Sequence, residues 1–265
     1  MKWRMWVRLL VMAEALLVLG GCTSGGDTAY DGGSSVGSSG SAGSSASGGG
    51  AKTIQGSGNV TRESRNVSNF NQVELQGIGN LTIQQTGSES LTIEAEDNII
   101  PYLKTEVKNN RLTLSIEPGV GISTTKPINY ELTVKDLSDL KLTGSGMINV
   151  ESINTNNLKI TTTGSGNVSA NTDTNTLEVV LGGSGDAKMD GKADSQDVNI
   201  TGSSRYQAEN LQSRETKVDI SGSGSATLNV SDTLDARIAG SGSVEYAGNP
   251  TVSKQISGSG ELRKR

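Results

Sequence analysis

The chain has 265 residues, 32% of them apolar, with 35 Gly, a single Phe (Phe70) and a formal net charge of −5. Little bulk combined with much Gly disfavours a thick layered enzyme and leaves either disorder or a thin, stacked core. The absence of His and the presence of one Cys exclude Ser-His-Asp and Cys-His catalytic sets, intrachain disulfides and Cys-rich metal sites, and the only Lys/Arg run is Arg263-Lys264-Arg265.

In chain order, Lys2, Arg4 and Arg8 form a positive leader, the apolar stretch Leu9 to Leu19 follows, and Gly20-Gly21 precede Cys22. This is the layout of a secretory signal peptide over residues 1–21. A transmembrane helix is the competing reading, but spanning needs about 20 apolar residues; this run is shorter and carries Glu14. Leu19-Gly20-Gly21-Cys22 resembles a lipobox, which implies cleavage before Cys22 and lipidation of its thiol by chains such as palmitate. Thr23, a non-acidic residue at the next position, resembles the outer-membrane sorting rule of enteric-type bacteria. Both tryptophans, Trp3 and Trp6, fall in the removed segment.

Residues 22–52 are dominated by Gly, Ser and Ala. Such a stretch buries too little apolar surface to offset its ordering entropy, so it reads as a flexible tether, spanning roughly 30 Å as a random coil.

From residue 53 onward a repeat takes over. Gly-Ser-Gly recurs at Gly56, Gly144, Gly164, Gly183, Gly222, Gly240 and Gly258, with variants at Gly77-Ile78-Gly79 and Gly202-Ser203-Ser204. From Gly144 the spacings are 20, 19, 19, 20, 18 and 18 residues, a period that marks a repeat architecture. Two residues before each turn stand Ile54, Leu75, Leu142, Leu181, Ile200, Ile220, Ile238 and Ile256, with Thr162 the departure. Four residues after it come Val60, Leu81, Ile148, Val168, Ala187, Tyr206, Ala226, Val244 and Leu262. Apolar residues also recur four and six before the turn and six after it. Alternation on both sides of a Gly-rich turn means strand, turn, strand with one buried face. One coil cannot bury its apolar row alone, so the expected fold is an all-β solenoid over 53–265, of stacked coils of 18–20 residues, each glycine free to take positive φ at the turn. A propeller competes, but its blades need about 40 residues.

Residues 87–136 break the pattern with Pro101, Pro118 and Pro127. Asn109-Asn110 between two alternating runs predicts a hairpin, residues 98–103 a short helical turn, and Ile128, Tyr130, Leu132 and Val134 a rejoining strand. The segment reads as irregular early coils of the same domain.

Gly77-Ile78-Gly79-Asn80, following Phe70-Asn71-Gln72-Val73-Glu74-Leu75 and leading to the ladder of Gly-Ser-Gly turns, resembles the bacterial family described as "putative auto-transporter adhesin, head GIN domain". The resemblance spans about residues 54–262. It implies a β-helix-like fold and an envelope location, and it brings no catalytic residues.

Chemistry-bearing patterns are sparse. Gly182-Gly183-Ser184-Gly185-Asp186-Ala187 is similar to a calcium-binding β-roll nonapeptide, with the Asp one place early and no tandem copy. The Gly-Ser-Gly turns offer backbone N–H groups that could form anion nests, but without the strand-to-helix context and Lys of a phosphate loop. Asp186, Asp190 and Asp194 are candidates for paired carboxylates of the glycosidase kind, with solvated surface charge the plainer explanation. Thr61, Thr82, Asn149, Ser169 and Thr227 share an outward column of the sort that binds ice or sugars, interrupted by Lys188, Gln207 and Glu245. Asn-x-Ser/Thr matches carry no weight in a bacterial lipoprotein.

The sequence therefore supports a lipid-anchored envelope protein, tethered through Cys22 to the outer membrane, that acts as a non-catalytic adhesin-like or scaffold module. No cofactor, metal or catalytic residue is expected. The partners expected are the membrane, through the lipid, and a polysaccharide or envelope protein, with nucleic acid excluded. A carbohydrate-active β-helix enzyme, of lyase or glycosidase type, is the alternative.

Overall fold

A computed structural model describes residues 52–265. The signal peptide, Cys22 and nearly all of the tether lie outside the described residues. Ten short strands come first: β1 (Lys52–Gln55), β2 (Val60–Arg65), β3 (Gln72–Gly77), β4 (Asn80–Gln85), β5 (Ser90–Glu96), β6 (Leu103–Lys108), β7 (Arg111–Ile116), β8 (Val120–Ser123), β9 (Asn129–Val134) and β10 (Asp139–Gly144). Five long ones follow, β11 (Met147–Gly164), β12 (Asn167–Gly183), β13 (Asp186–Gly202), β14 (Arg205–Gly222) and β15 (Ser225–Gly240), each running through one coil. The chain closes on β16 (Ser243–Ala247), β17 (Thr251–Gly258) and β18 (Glu261–Lys264).

These strands stack into an all-β solenoid of about seven turns. One face runs β6-β7-β3-β10, then the second halves of β11 to β15, then β17. The other runs β2-β5-β9-β4, then the first halves of β11 to β15, then β16 and β18. Coil-to-coil pairing is parallel throughout the repeat, and the first glycines of successive turns sit opposite one another: Gly77, Gly144, Gly164, Gly183, Gly202, Gly222, Gly240 and Gly258.

In the turn Gly222-Ser223-Gly224 the two glycines are needed for different reasons, a distinction the repeat alone does not reveal. Gly222 has φ +122, and a Cβ there would lie 2.6 Å from the carbonyl O of Gly202 in the coil below. Gly224 does not have positive φ; its missing Cβ would point inward, 2.5 Å from Ile200 Cγ2 and 2.9 Å from Ser204 O. The first glycine lets the chain bend, and the second lets the bend sit close on the apolar column beneath it.

That column is the core. Leu75, Leu142, Leu181, Ile200, Ile220 and Ile238 are buried, as is Thr162 in the same row. Leu81, Ile148, Val168, Ala187, Tyr206, Ala226 and Val244 form the facing row and are also buried. Thin as this interior is, each fully buried Leu, Ile or Val stabilises it by about 1.5–3 kcal/mol. Repetition replaces bulk.

The segment 87–136 supplies one irregular coil, in which β7 and then β9 lie parallel and in register on β3 and β4, with β5, β6 and β8 added around it. The first coil, β3–β4, stacks directly on β10–β11, with Gly77 opposite Gly144 and Leu81 opposite Ile148. The intervening chain folds back over the outer side of that coil. The hairpin turns at Asn109 and Asn110, with φ 51 and 62, the two-residue geometry that matches strand twist. It lays β7 parallel on β3, while β9 pairs β4 and is covered in turn by antiparallel β5 and β2. The expected helical turn is a 3-10 turn at Ile100–Tyr102, and Ile128, Tyr130, Leu132 and Val134 are all buried.

Gly56-Ser57-Gly58 also departs from the ladder. β1 pairs with β8 in a separate two-stranded sheet, Val60 is 48% exposed, and Thr61 lies opposite Ala95 rather than in the Thr82 column. The cause is local. In the repeat, the turn serine donates its N–H to the previous glycine carbonyl, as Ser145 N does to Gly77 O at 3.0 Å. Ser57 N donates instead to Asn98 Oδ1 at 3.0 Å, Ser57 Oγ to Asp97 Oδ1 at 2.5 Å, and Gly58 N to Glu96 Oε1 at 2.7 Å. Three consecutive side chains take the place of a coil, and a Cβ on Gly56 would overlap the Glu96 carboxylate.

Candidate binding faces

The outer surface inherits the register of the core. On the face carrying β17, the outward positions form a ladder of alternating charge. Arg111 and Lys141 both reach Glu74, at 3.3 and 3.0 Å, and Lys159 reaches Glu178 at 2.6 Å. Lys217 lies 2.9 Å from Asp219 and 3.4 Å from Asp197, and those carboxylates hold its ammonium above the usual lysine range. Burial alone would raise the Glu74 carboxyl, but hydrogen bonds from Gln76, Lys141 and Arg111 outweigh it and hold the group below the ordinary value. Apart from those of the buried Glu74, pairs of this kind are exposed and contribute about 0–1 kcal/mol each; their larger consequence is a face with little net charge.

Where this face meets the corner of each coil, a groove of about 560 Å³ runs along the stack. Thr176, Ser195, Glu215, Thr233 and Thr251 line it, one per coil and in strict register. At the spacing of paired strands, the five positions extend about 19 Å. Leu234 and the buried polar side chains of Gln196 and Thr216 also line it. Gln196 is held from within: Tyr206 Oη donates to its Oε1 at 2.7 Å.

The residues that sequence reasoning weighed do not converge. Asp186 pairs with Arg205 at 3.1 Å, Asp190 faces Lys188 at 3.7 Å, and Asp194 is exposed beyond the bend at Gly191. Asp186 and Asp190 are four residues apart on one strand, about 13 Å, with Lys188 between them. That is wider than the carboxyl pairs of glycosidases, which reach about 9.5 Å. Among the described residues no group of His, Cys, Asp and Glu is arranged to hold a metal ion. The turn amides are not free for anions either: Ser184 N and Ser223 N each donate to the glycine carbonyl of the coil below at 2.9 Å, and Asp186 N to Asn167 Oδ1. Thr82, Asn149, Ser169, Lys188, Gln207, Thr227 and Glu245 do form one outward column, on the opposite face.

A solenoid with this turn ladder and this folded-back first coil matches, over residues 69–250, the family described as "putative auto-transporter adhesin, head GIN domain". The chain belongs to that family. Solved relatives share the architecture. A "putative adhesin" from Bacteroides fragilis superposes with a TM-score of 0.76 at 29% identity, covering 80% of this chain and 100% of its own. A "putative lipid binding protein" from Parabacteroides distasonis superposes with a TM-score of 0.70 at 26% identity, covering 81% of this chain and 100% of its own. A second "putative adhesin" from Parabacteroides distasonis, at 21% identity, 81% coverage of this chain and 100% of its own, and a TM-score of 0.66, shares the fold. No curated protein sequence matches this one. Family and neighbours together mark this head GIN domain as an adhesin-like module of the cell surface or envelope.

The groove was the feature sequence reasoning missed. Its signal was present in the column six residues before each turn, where Gln196 and Thr216 interrupt Leu158, Leu177 and Leu234.

Proposed function

We propose that this head GIN protein is anchored to the outer membrane by a lipid on Cys22 and works without catalysis, holding a polysaccharide or an envelope protein along the groove of its repetitive face. The observation that carries the reading is the column Thr176, Ser195, Glu215, Thr233 and Thr251, which places a polar side chain once per coil, a short hydroxyl at four of the five positions. A linear polymer meets such a column with the same contact many times, and weak contacts made together yield avidity. The uncharged hydroxyls and the self-neutralised charge ladder favour a sugar chain or a polar protein surface over nucleic acid. The adhesin descriptions of the family and of the Bacteroides fragilis relative support the same class. A Gly/Ser tether gives reach, and a lipid gives attachment; both suit a binder.

The test is a panel of bacterial and host polysaccharides and envelope extracts, assayed in parallel for binding and for chain cleavage. Saturable binding weakened by Thr233→Arg in the groove, with no cleavage, is the expected result. Cleavage that survives chelation and is lost on changing one Asp would replace this reading with a carbohydrate-active enzyme. Binding indifferent to Thr233→Arg would move the site off the groove.

A further inference from the structure

The two ends of the solenoid are built differently. At the first coil, the hairpin β6–β7 and the strands β9, β5 and β2 cover the stack. At the last coil, among the described residues, β17 pairs only with β15 and β18 only with β16. All eight residues of β17 are exposed. Its outer edge carries unpaired backbone N–H and C=O groups, the template on which another strand adds.

The side chains at this end are specific. Opposite Leu234, Ala236 and Ile238 of the coil below, β17 places Val252, Lys254 and Ile256; opposite Val244 and Tyr246, β18 places Leu262 and Lys264. Two lysines therefore stand in columns that are otherwise core. Val252 and Ile256 are 36% and 39% exposed, and Lys254 lies between them. Arg263 and Arg265 turn to Glu245, and Lys264 Nζ donates to Asn249 Oδ1 at 2.6 Å. Among the described residues Lys254 makes neither an ion pair nor a side-chain hydrogen bond, and Glu261 is the one acid on the last strand.

This charge argues against a second copy as the occupant. Two-fold pairing of β17 with itself that sets Val252 against Ile256 of the other copy brings Lys254 against Lys254, and like charges opposite one another destabilise a pair of strands. Head-to-tail stacking brings the same end against β2 and β6, each with two cations to one acid (Arg62, Arg65 and Glu63; Lys104, Lys108 and Glu106), a smaller excess of positive charge.

We propose that the outer edge of Thr251–Gly258 accepts an extended acidic segment of another protein as an added β-strand. The segment has an apolar-x-acidic-x-apolar pattern. Its two apolar side chains cover Val252 and Ile256, and its central carboxylate meets Lys254 Nζ. Main-chain hydrogen bonds provide affinity, and the alternating side chains fix register. Covering the edge also removes water from around Lys254, which strengthens its pairing with the incoming carboxylate. The edge adjoins the groove, since Thr251 and Val252 line both, but the proposal does not depend on what binds in the groove, and Lys254 lies outside its lining.

The test uses the full chain in detergent and a fluorescein-labelled peptide, threonine-valine-threonine-glutamate-threonine-valine-threonine, followed by fluorescence anisotropy. Saturable binding that falls with added salt is expected. Lys254→Glu should weaken it at least about ten-fold, and a peptide with lysine in place of glutamate should recover binding to that variant. Proline at the peptide's central position should abolish binding. Because Lys254 is exposed, Lys254→Glu should keep the circular dichroism melt of the parent, so lost binding is not lost folding; Lys188→Glu, on the opposite face, should bind as the parent does. The proposal falls if the parent does not bind, if Lys254→Glu or the proline leaves binding unchanged, or if sedimentation shows that Lys254→Glu converts the chain to a dimer through this edge.

Discussion

Tyr206 and Gln196, ten residues apart in sequence, meet inside the coil: the tyrosine Oη donates a 2.7 Å hydrogen bond to the amide Oε1. Both are buried, and the chain continues the polar contact through Thr216 Oγ1 to Ser213 Oγ, 2.9 Å away, and from there to Asn229 O at 3.0 Å. Burial pushes the Tyr206 hydroxyl well above the ordinary phenol range, so it stays protonated and serves as a donor. The column that holds Gln196 also holds Thr216 and carries Leu158, Leu177 and Leu234, so polar side chains have been built in where leucine fits.

This pair should behave as a unit. Tyr206→Phe should destabilise the fold by about 1–3 kcal/mol, because it strands the Gln196 carbonyl oxygen. Gln196→Leu should do similar damage by stranding the tyrosine hydroxyl. The double variant should recover much of the loss, since neither orphan remains. Chemical denaturation followed by circular dichroism closes the cycle; losses that simply add would mean the bond carries no coupling.

The turn Gly222-Ser223-Gly224 separates the two roles of glycine. Gly222→Ala meets both a φ of +122 and the Gly202 carbonyl, and Gly224→Ala meets Ile200, so each should cost about 1–3 kcal/mol. Ser223→Ala, at an exposed position whose backbone N–H rather than side chain holds the stack, should lie within about 0.5 kcal/mol of the parent. Melting temperatures of the three variants check this ordering.

Acid should loosen the N-terminal clasp first. The Glu96 carboxylate accepts from Thr125 Oγ1 at 2.6 Å and from the backbone N–H of Gly58 and Thr125, and these bonds, the Thr125 hydroxyl foremost, hold its pKa below the ordinary 4.5. A depressed folded pKa means the stabilisation is complete above the unfolded value and is lost as pH falls below 4.5 through the folded one. Hydrogen exchange of β1, β2 and the 56–59 loop should therefore accelerate below that pH while β12 to β14 stay protected. Glu96→Gln should show fast exchange in this region at every pH, with the pH dependence gone.

Cells fed a clickable fatty acid should label the chain, and Cys22→Ala should abolish both the label and fractionation with membranes. Label retained by Cys22→Ala would remove the lipid anchor from the account.

The sequence by itself determined the fold class and the identity of most core residues. Glycine spacing near 19 fixes the coil length, and the alternating Leu, Ile and Val on both sides of each turn fix which face is inward, because side chains on a strand alternate with period two. The hairpin at Asn109-Asn110 was legible for the same local reason, since two consecutive left-handed residues favour Asn. What only the tertiary structure decided depends on which strand lies beside which. Gly56-Ser57-Gly58 has the repeat's signature, yet Glu96, Asp97 and Asn98 hold it in place of a coil, a choice between distant segments that no local pattern encodes. Residues 87–136 read as irregular coils, but no local pattern says that β3–β4 pairs across them to β10 while β7 and β9 stack on its other side. Val252 and Ile256 occupy core columns and remain exposed because no described strand stacks on them. The groove, likewise, exists only once Thr176, Ser195, Glu215, Thr233 and Thr251, spread over 76 residues of chain, are brought into register by the core beneath them.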